Sequence, residues 1–274
     1  MSAKKKSADT RKPLGSWRPS IRDNSKPLLI GIGGAHSSAG KTTLACSLIK
    51  NLKHRPGCFS ITSLSVGAIK FTKTELYSSV IEDNEILKER NKDTSRLLEA
   101  GAEKVVWIKS PRSELEAPLS FALSKLGGLD CILIEGNSAI EFARPDIVIF
   151  VFGKSADNIK TSAPAIIRQA DIVIAPESYS LDKCALKSTA KRLYRKHYPY
   201  KFDDGLARDI IAFMETIEKN KEIEHLLSTA SIDGRVTCTQ ASKIAEDLGV
   251  PYVRIGAAAD ELHIKIKNCE LGSI

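Results

Sequence analysis

The chain has 274 residues, of which 42% are hydrophobic and 27% are charged, a composition typical of a globular protein. This length accommodates one domain of roughly 200 residues and a smaller second one. No apolar run approaches the roughly 18 residues of a membrane span, and the basic N-terminus has no apolar stretch behind it that would make a secretory signal. Six cysteines lie far apart without a C-x-x-C pair, so we expect a reduced, cytoplasmic protein.

The positive charge is concentrated at the N-terminus. The net charge is +8, but residues 1–26 hold eight Lys and Arg side chains and only two Asp, so the rest of the chain is nearly neutral. We expect residues 1–27 to form a solvated, disordered basic tail. Contact of this tail with nucleic acid or acidic lipid is the alternative interpretation.

A glycine-rich run follows the first predicted strand. Residues 28–32 are apolar, residues 33–43 read GGAHSSAGKTT, and a helical pattern follows from 44 to 49. Strand, tight loop, Gly-Lys-Thr and helix are typical of a P-loop, whose backbone N–H groups wrap nucleotide phosphates. The lysine reaches the β- and γ-phosphates, and the threonine hydroxyl binds Mg²⁺. The predicted nucleotide-binding residues of the loop are Gly34, Ser37, Ser38, Ala39, Gly40, Lys41, Thr42 and Thr43.

Strands and helices alternate beyond the P-loop. The apolar runs are continuous rather than alternating, as in a parallel sheet covered on both faces. The pattern therefore predicts a doubly wound, mostly parallel α/β sheet of the P-loop NTPase type, which binds ligands beyond the carboxyl ends of its strands. We predict strands at 59–70, 105–108, 131–134, 147–152 and 172–175, a loop and helix at 72–92, helices at 93–102, 114–126 and 163–169, and a helical stretch at 181–228 with a break near 198.

Charged residues at element ends are candidates for the site. Glu135 follows a buried strand, where P-loop proteins place an acid beside the metal; a simple strand-end cap is the alternative. Lys41 and Glu135 are thus the predicted catalytic residues, and Thr42 and Glu135 the predicted Mg²⁺ ligands. Lys70 ends the second predicted strand and is either a ligand of phosphate or an acidic substrate, or an exposed surface lysine. Asp93 begins a predicted helix, and its position favours an N-cap.

The C-terminal part of the chain has a different pattern. We expect residues 28–229 to form the nucleotide-binding domain and residues 230–274 a small helical module. Residues 240–250 and 251–262 have the pattern of a helix-turn-helix, followed by a strand at 264–266. The module holds five Lys and Arg against six Asp and Glu, which argues against DNA binding because phosphate contacts dominate DNA affinity. A packing or protein-contact module is the better interpretation.

Four short segments also carry a family resemblance. They are Gly40-Lys41-Thr42-Thr43-Leu44, Ala68-Ile69-Lys70, the run KDTSRL at 92–97 with Ala100-Gly101-Ala102, and the run ILIEG at 132–136. Over about residues 28–152 they resemble the P-loop family of the molybdopterin-guanine dinucleotide biosynthesis protein B. The resemblance implies a nucleotide-binding accessory protein of molybdenum cofactor maturation, with weak GTPase activity, a homodimeric state and a pterin or metal-handling partner protein.

The same resemblance implies roles for individual residues. Lys41 and Thr42 would contact phosphate and Mg²⁺, Glu135 would lie near the metal, and Lys70 and Asp93 would line the site. The loop itself, G-x5-G-K-T, is more similar to those of dethiobiotin synthetase and cobyrinic acid amide synthase, which use ATP to activate a carboxylate. Partitioning and metal-trafficking ATPases carry a signature lysine where this chain has His36. Residues 180–274 are not covered by either resemblance.

Three functions follow from these observations. The first is a nucleotide-binding accessory protein of the molybdenum cofactor type with slow NTPase activity. The alternative is an ATP-dependent ligase or kinase that acts on a small carboxylate, similar to dethiobiotin synthetase. A third is a nucleotide-gated regulator whose C-terminal module is the output. No N-K-x-D motif follows the last strand, so the choice between ATP and GTP stays open.

Overall fold

A computed structural model describes residues 26–53, 64–154, 159–177, 192–196 and 200–267. Predictions for residues 1–25, 59–63, 181–191, 197–199 and 268–274 lie outside this range. The strands are β1 Leu28–Gly34, β2 Val66–Lys73, β3 Ser79–Ile81, β4 Lys104–Ser110, β5 Cys131–Glu135, β6 Ile147–Val151, β7 Ile172–Pro176, β8 Arg192–Lys196, β9 Arg235–Thr237 and β10 Lys265–Lys267. The helices are α1 Lys41–Lys53, α2 Asn84–Leu87, α3 Asp93–Glu99, α4 Glu116–Lys125, α5 Asn137–Ala143, α6 Ala163–Gln169, α7 Asp204–Ala230, α8 Cys238–Leu248 and α9 Tyr252–Glu261.

Eight strands form the main sheet in the order β3-β4-β2-β5-β1-β6-β7-β8. All pairings are parallel except that of β3 with β4. The register places Glu135 opposite Ile32 of β1 on one side and opposite Lys70 of β2 on the other. Because parallel strands end at the same edge, the P-loop after β1, Lys70 and Glu135 meet at one edge of the sheet.

Alternate residues of the central strands enter separate cores. Cys131 and Leu133 of β5 join the core that contains apolar residues of α1 and α3, whereas Ile132 and Ile134 join the core that contains those of α4. Successive side chains of a strand point to opposite faces, so the sheet is covered by helices on both sides. The predicted doubly wound, mostly parallel α/β fold is confirmed.

Several element boundaries differ from the prediction. The second strand begins at Val66 and continues through Lys73, because it pairs with β4 as far as Ser110, so Lys70 lies within a strand rather than at its end. The stretch predicted as loop and helix includes β3, a three-residue antiparallel edge strand that is too short to show a pattern. Helix α5 was not predicted, because seven residues directly after Glu135-Gly136 give little periodicity.

The prediction of helix at 192–196 is wrong. These residues form β8, which pairs in parallel with β7 at the edge of the sheet. Its sequence, RLYRK, carries three basic residues in five. Charged residues are common on edge strands because they discourage pairing with another chain, and this removes the apolar run that predicts a central strand.

The described residues form two units, one within Ser25–Lys221 and one within Glu222–Ile274. In the second unit, α8 begins with a capping box between Thr237 and Gln240 and ends at Gly249, whose φ of 59° is left-handed. Helix α9 and β10 follow, and β10 pairs with β9. The predicted helical C-terminal region is confirmed, whereas β9 was not predicted. None of the described helices combines the length and hydropathy needed to cross a bilayer.

The packing of α5 on β1 gives a testable prediction. A Cβ at Gly31 would lie 2.7 Å from Pro145 Cγ and 2.9 Å from Ile140 Cγ1. Gly31→Ala should therefore lower the free energy of unfolding by about 1–3 kcal/mol, measured by urea denaturation. The control is Gly256→Ala, where no atom lies within 4 Å and alanine should stabilise α9 by up to about 1 kcal/mol. Equal stability of Gly31→Ala and the parent protein would contradict this packing.

Candidate functional site

A cavity of about 800 Å³ lies at the carboxyl ends of β1, β2 and β5. It brings together six of the residues predicted from the sequence, namely Gly34, Ser37, Lys41, Lys70, Asp93 and Glu135. The other predicted loop residues do not line it: Ser38 and Thr43 are exposed, Ala39 and Thr42 are buried, and Gly40 is half-buried. Six of the eleven predicted site residues thus lie around a single concavity.

The backbone of the glycine-rich loop surrounds the lysine. Gly40 has a φ of 99°, which only glycine adopts readily, and a Cβ at Gly34 would lie 3.0 Å from the Cγ and Cδ of Lys41. The ammonium of Lys41 donates hydrogen bonds to the carbonyl oxygens of His36, at 2.8 Å, and Ser37, at 3.2 Å. Lys41 is therefore held inside the loop by neutral acceptors.

The charge of Lys41 is poorly compensated. Burial lowers its pKa to about 8, and the positive charges of Lys70 and Lys160 act in the same direction, while Glu135 and Asp93 oppose the shift. An ammonium in this environment gains most from an additional negative charge. The loop is thus electrostatically suited to an anion.

Glu135 is the buried acid of the site. It is 3% exposed and ends β5. Its Oε2 accepts a hydrogen bond from Thr42 Oγ1 at 2.8 Å, and its Oε1 accepts one from Lys70 Nζ at 2.5 Å. Each carboxylate oxygen thus has its own partner, one from α1 and one from β2.

Lys70 joins two carboxylates. Its Nζ also lies 2.5 Å from Asp93 Oδ2, and its side chain is 14% exposed, so Lys70 is not a surface lysine. Burial lowers the pKa of Lys70, but the charge of Glu135 and the hydrogen bonds to Asp93 and Glu135 outweigh it, and the net pKa is raised. Burial likewise raises the pKa of Asp93, but the hydrogen bond and charge of Lys70 lower it overall.

The interpretation of Asp93 as an N-cap is wrong. The N-cap of α3 is Lys92, which makes no side-chain capping hydrogen bond, and Asp93 is the first helical residue. Its carboxylate contacts Lys70 and lies 3.7 Å from Arg96. An ion pair with a mostly buried ammonium is stronger than a capping bond to a neutral N–H, which explains the preference.

Sequence reasoning missed two residues of the site. The amide of Asn137 accepts from the N–H of Gly34 at 2.9 Å and donates to the Gly34 carbonyl and Ser162 Oγ, each at 3.1 Å. Lys160 Nζ donates to Ser37 Oγ at 3.0 Å. Asn137 comes two residues after Glu135, and Lys160 follows β6. The only sequence signal that could have indicated these two residues is that each comes after the carboxyl end of a buried strand.

The donor set fits Mg²⁺ in the presence of phosphate. Among the residues that the structure describes, no group of three or more His, Cys, Asp and Glu is arranged to hold a metal. The Thr42 hydroxyl and a Glu135 oxygen lie 2.8 Å apart, which supplies two hard oxygen ligands. Mg²⁺ prefers oxygen and is usually bound by one or two side chains together with substrate phosphates.

Comparisons with known proteins identify one matching family. A family model described as "Molybdopterin guanine dinucleotide synthesis protein B" matches residues 29–170. No curated protein matches the chain. Among solved structures, the chain is similar to a protein described as a plasmid partition protein from Borrelia burgdorferi B31 bound to AMPPNP, with 15% identity, a TM-score of 0.37, and coverage of 71% of this chain and 97% of that one.

The Lys70 ion pairs predict a pH-dependent stability. Lys70→Met leaves the Glu135 carboxylate buried without a cation, which should lower the free energy of unfolding at pH 7 by about 3 kcal/mol. Lys73→Met is the control, since Lys73 lies on the same strand but pairs with Glu75 at 60% and 74% exposure. We expect a change within about 0.5 kcal/mol for that variant, measured by urea denaturation.

The sign of the pH effect follows from the two shifted pKa values. The pKa of Asp93 is below its ordinary 3.8, so its contribution is present above that pH and is lost as the pH falls through the folded value. The pKa of Lys70 is above its ordinary 10.5, so its contribution is present below that pH and is lost as the pH rises through the folded value. The gap between the parent and Lys70→Met should therefore be widest from about pH 5 to pH 9. A gap independent of pH would contradict the ion-pair assignment.

Proposed function

The chain belongs to the molybdopterin guanine dinucleotide synthesis protein B family, and we propose that it is a Mg²⁺-nucleotide-binding accessory protein of molybdenum cofactor biosynthesis that hydrolyses its nucleotide slowly. One observation carries this proposal: Lys41 inside the loop, with Thr42 and Glu135 in hydrogen-bond contact at 2.8 Å beside it. All three lie within the segment that the family model matches. They supply the cation, hydroxyl and acid that P-loop chemistry requires.

Phosphate binding would use the loop and its lysine. The backbone N–H groups of residues 37–43 would surround the β-phosphate, with Ser37, Ser38, Ala39, Gly40 and Thr43 contributing through the main chain. Lys41 would exchange its two neutral carbonyl acceptors for anionic phosphate oxygens, which adds charge–charge attraction to each hydrogen bond. The unfavourable burial of the lysine would thereby be relieved.

Thr42 and Glu135 would hold Mg²⁺. The ion neutralises charge that develops on the phosphates. Lys70 and Asp93 would position Glu135 from the other side, since Lys70 binds Glu135 Oε1 and leaves Oε2 directed at Thr42. Lys41 and Glu135 are therefore the proposed catalytic residues, with Lys70 and Asp93 in supporting positions.

Slow turnover is expected because the carboxylates that line the cavity are ion-paired. Fast hydrolysis needs a side chain that orients the attacking water. The acids that line the cavity are all ion-paired: Asp93 and Glu135 with Lys70, and Glu141 with Arg112 at 2.6 Å. A carboxylate oxygen that already accepts a hydrogen bond from a lysine or arginine is less available to orient a water molecule. The site therefore suits nucleotide binding more than rapid hydrolysis.

A second candidate is an ATP-dependent ligase or kinase that acts on a small carboxylate. The observation that favours it is the extent of the cavity, which continues past the loop to Lys73 and Arg112. Lys73 and Arg112, which line the cavity beyond the P-loop, are suited to bind the carboxylate of a second substrate. A single metabolite that accelerates turnover from a negligible basal rate would favour this candidate over the accessory protein.

The remaining proposals depend on the family. We propose a cytoplasmic homodimer that hands a pterin or metal intermediate to a partner protein. The C-terminal unit is proposed to contact that partner rather than DNA, because residues 230–274 are slightly acidic. A salt-sensitive DNA shift that depends on bound nucleotide would favour the regulator hypothesis instead.

Nucleotide binding is tested by thermal unfolding with ATP, GTP and their diphosphates, with and without Mg²⁺. A ligand at about 100 times its Kd should stabilise the protein by about 2.7 kcal/mol. Lys41→Ala should abolish the effect without loss of fold, whereas Lys50→Ala, an exposed lysine of the same helix, should retain it. Stabilisation by GTP alone favours the accessory protein, and stabilisation by ATP alone favours the ligase or kinase. Unchanged affinity in Lys41→Ala would overturn the P-loop assignment.

A further inference from the structure

Two described residues after β6, Gly153 and Lys160, lie against the P-loop. The N–H of Lys160 donates to the carbonyl of Ala35 at 3.0 Å, so the main chain at Lys160 docks on the loop independently of its side chain. Gly153, at the start of the segment, has a φ of 68°, and a Cβ there would lie 3.2 Å from Ala39 Cα. The hydroxyl of Tyr200 donates to the Gly153 carbonyl at 2.8 Å. The position of Lys160 beside the loop is thus fixed by backbone contacts.

Two ammonium groups meet at one residue of the loop. Lys41 Nζ donates to the carbonyl of Ser37, and Lys160 Nζ donates to the hydroxyl of the same serine. Both lysines line the cavity. Residues 33–43 contain no Lys or Arg other than Lys41, so Lys160 brings a second cation to the loop from elsewhere in the chain.

We propose that Lys160 is a second phosphate-binding lysine, which contacts the terminal phosphate of a bound nucleoside triphosphate from the segment after β6. The inference rests on the proposed function, since it concerns the same nucleotide site. A P-loop lysine reaches the β- and γ-phosphates, and Lys160 shares Ser37 with it, so the ammonium of Lys160 is directed at the terminal end of the phosphate chain.

The present partners of the lysines distinguish Lys160 from Lys70. Lys70 is held by two carboxylates at 2.5 Å, and a move to phosphate would leave Glu135 buried without a cation. Lys160 is exposed and donates to a neutral hydroxyl. Exchange of that hydroxyl for a phosphate oxygen replaces a neutral acceptor with an anionic one, which adds charge–charge attraction, and leaves no buried charge unpaired. Lys160 is therefore the lysine that can bind phosphate at least cost.

The experiment compares triphosphate and diphosphate affinities in Lys160→Met. Kd values are measured by calorimetry in Mg²⁺ for AMPPNP and ADP, and for GMPPNP and GDP. The variant should bind the triphosphate analogue about tenfold more weakly and the diphosphate no more than about twofold more weakly, because only the former has a terminal phosphate to contact. Lys160→Arg should retain most of the triphosphate affinity. Lys154→Met, an exposed lysine of the same segment, should change neither Kd.

Each outcome decides between the proposals. Equal weakening of both ligands in Lys160→Met would assign Lys160 a structural role, and unchanged affinity for both would remove it from the site; either result overturns the inference while the nucleotide site stands. Absence of nucleotide binding in the parent protein would overturn the proposed function together with the inference. The triphosphate-to-diphosphate ratio is measured within one variant, so a partial loss of folded protein does not imitate the expected result.

Discussion

Neutralisation of one buried carboxylate determines the architecture of the site. Glu135 ends a strand whose every residue is buried, and a carboxylate in such a place is stable only if each oxygen has a strong donor. The sheet order β2-β5-β1 supplies both, because Lys70 comes from one neighbouring strand and Thr42 from the helix that follows the other. Asp93 completes the arrangement with a second ion pair to Lys70, at 2.5 Å.

The three lysines around the P-loop differ in their partners. Lys70 is paired with two acids, whereas, among the residues that the structure describes, Lys41 has only carbonyl acceptors and Lys160 only a hydroxyl. The folded chain thus leaves positive charge at the point where phosphates would bind, at a cost that is visible in the lowered pKa of Lys41. Functional sites commonly carry such an imbalance, because the ligand then supplies the missing charge. The contrast between the matched and the unmatched lysines separates the supporting part of the site from the ligand-binding part.

Sequence patterns were sufficient to predict those features whose physical cause lies within a few neighbouring residues. A continuous apolar strand, a glycine where φ is positive and a Gly-Lys-Thr at a helix start each leave a signature within ten residues, so the parallel fold and the loop could be predicted. The partner of Lys70 lies 23 residues away at Asp93, and Lys160 meets Ser37 across 123 residues, so neither contact could be derived from spacing. The prediction failed at the edge strand β8 for another reason. The basic residues of β8 are typical of an edge strand, and they interrupt the apolar run from which a strand is predicted.

The two oxygens of Glu135 have different partners, and this limits the reactions in which Glu135 can take part. Oε1 is bound to Lys70 and Oε2 faces Thr42, so a metal ion held at Oε2 and the threonine hydroxyl need not displace the lysine. If Lys70 stays in place, neither Glu135 nor Asp93 becomes available to accept a proton from water. We propose that a site whose acids stay ion-paired while nucleotide is bound favours a long-lived bound state over rapid turnover. That property suits a protein whose nucleotide organises an encounter with another molecule, and it is the physical reason to prefer the accessory role.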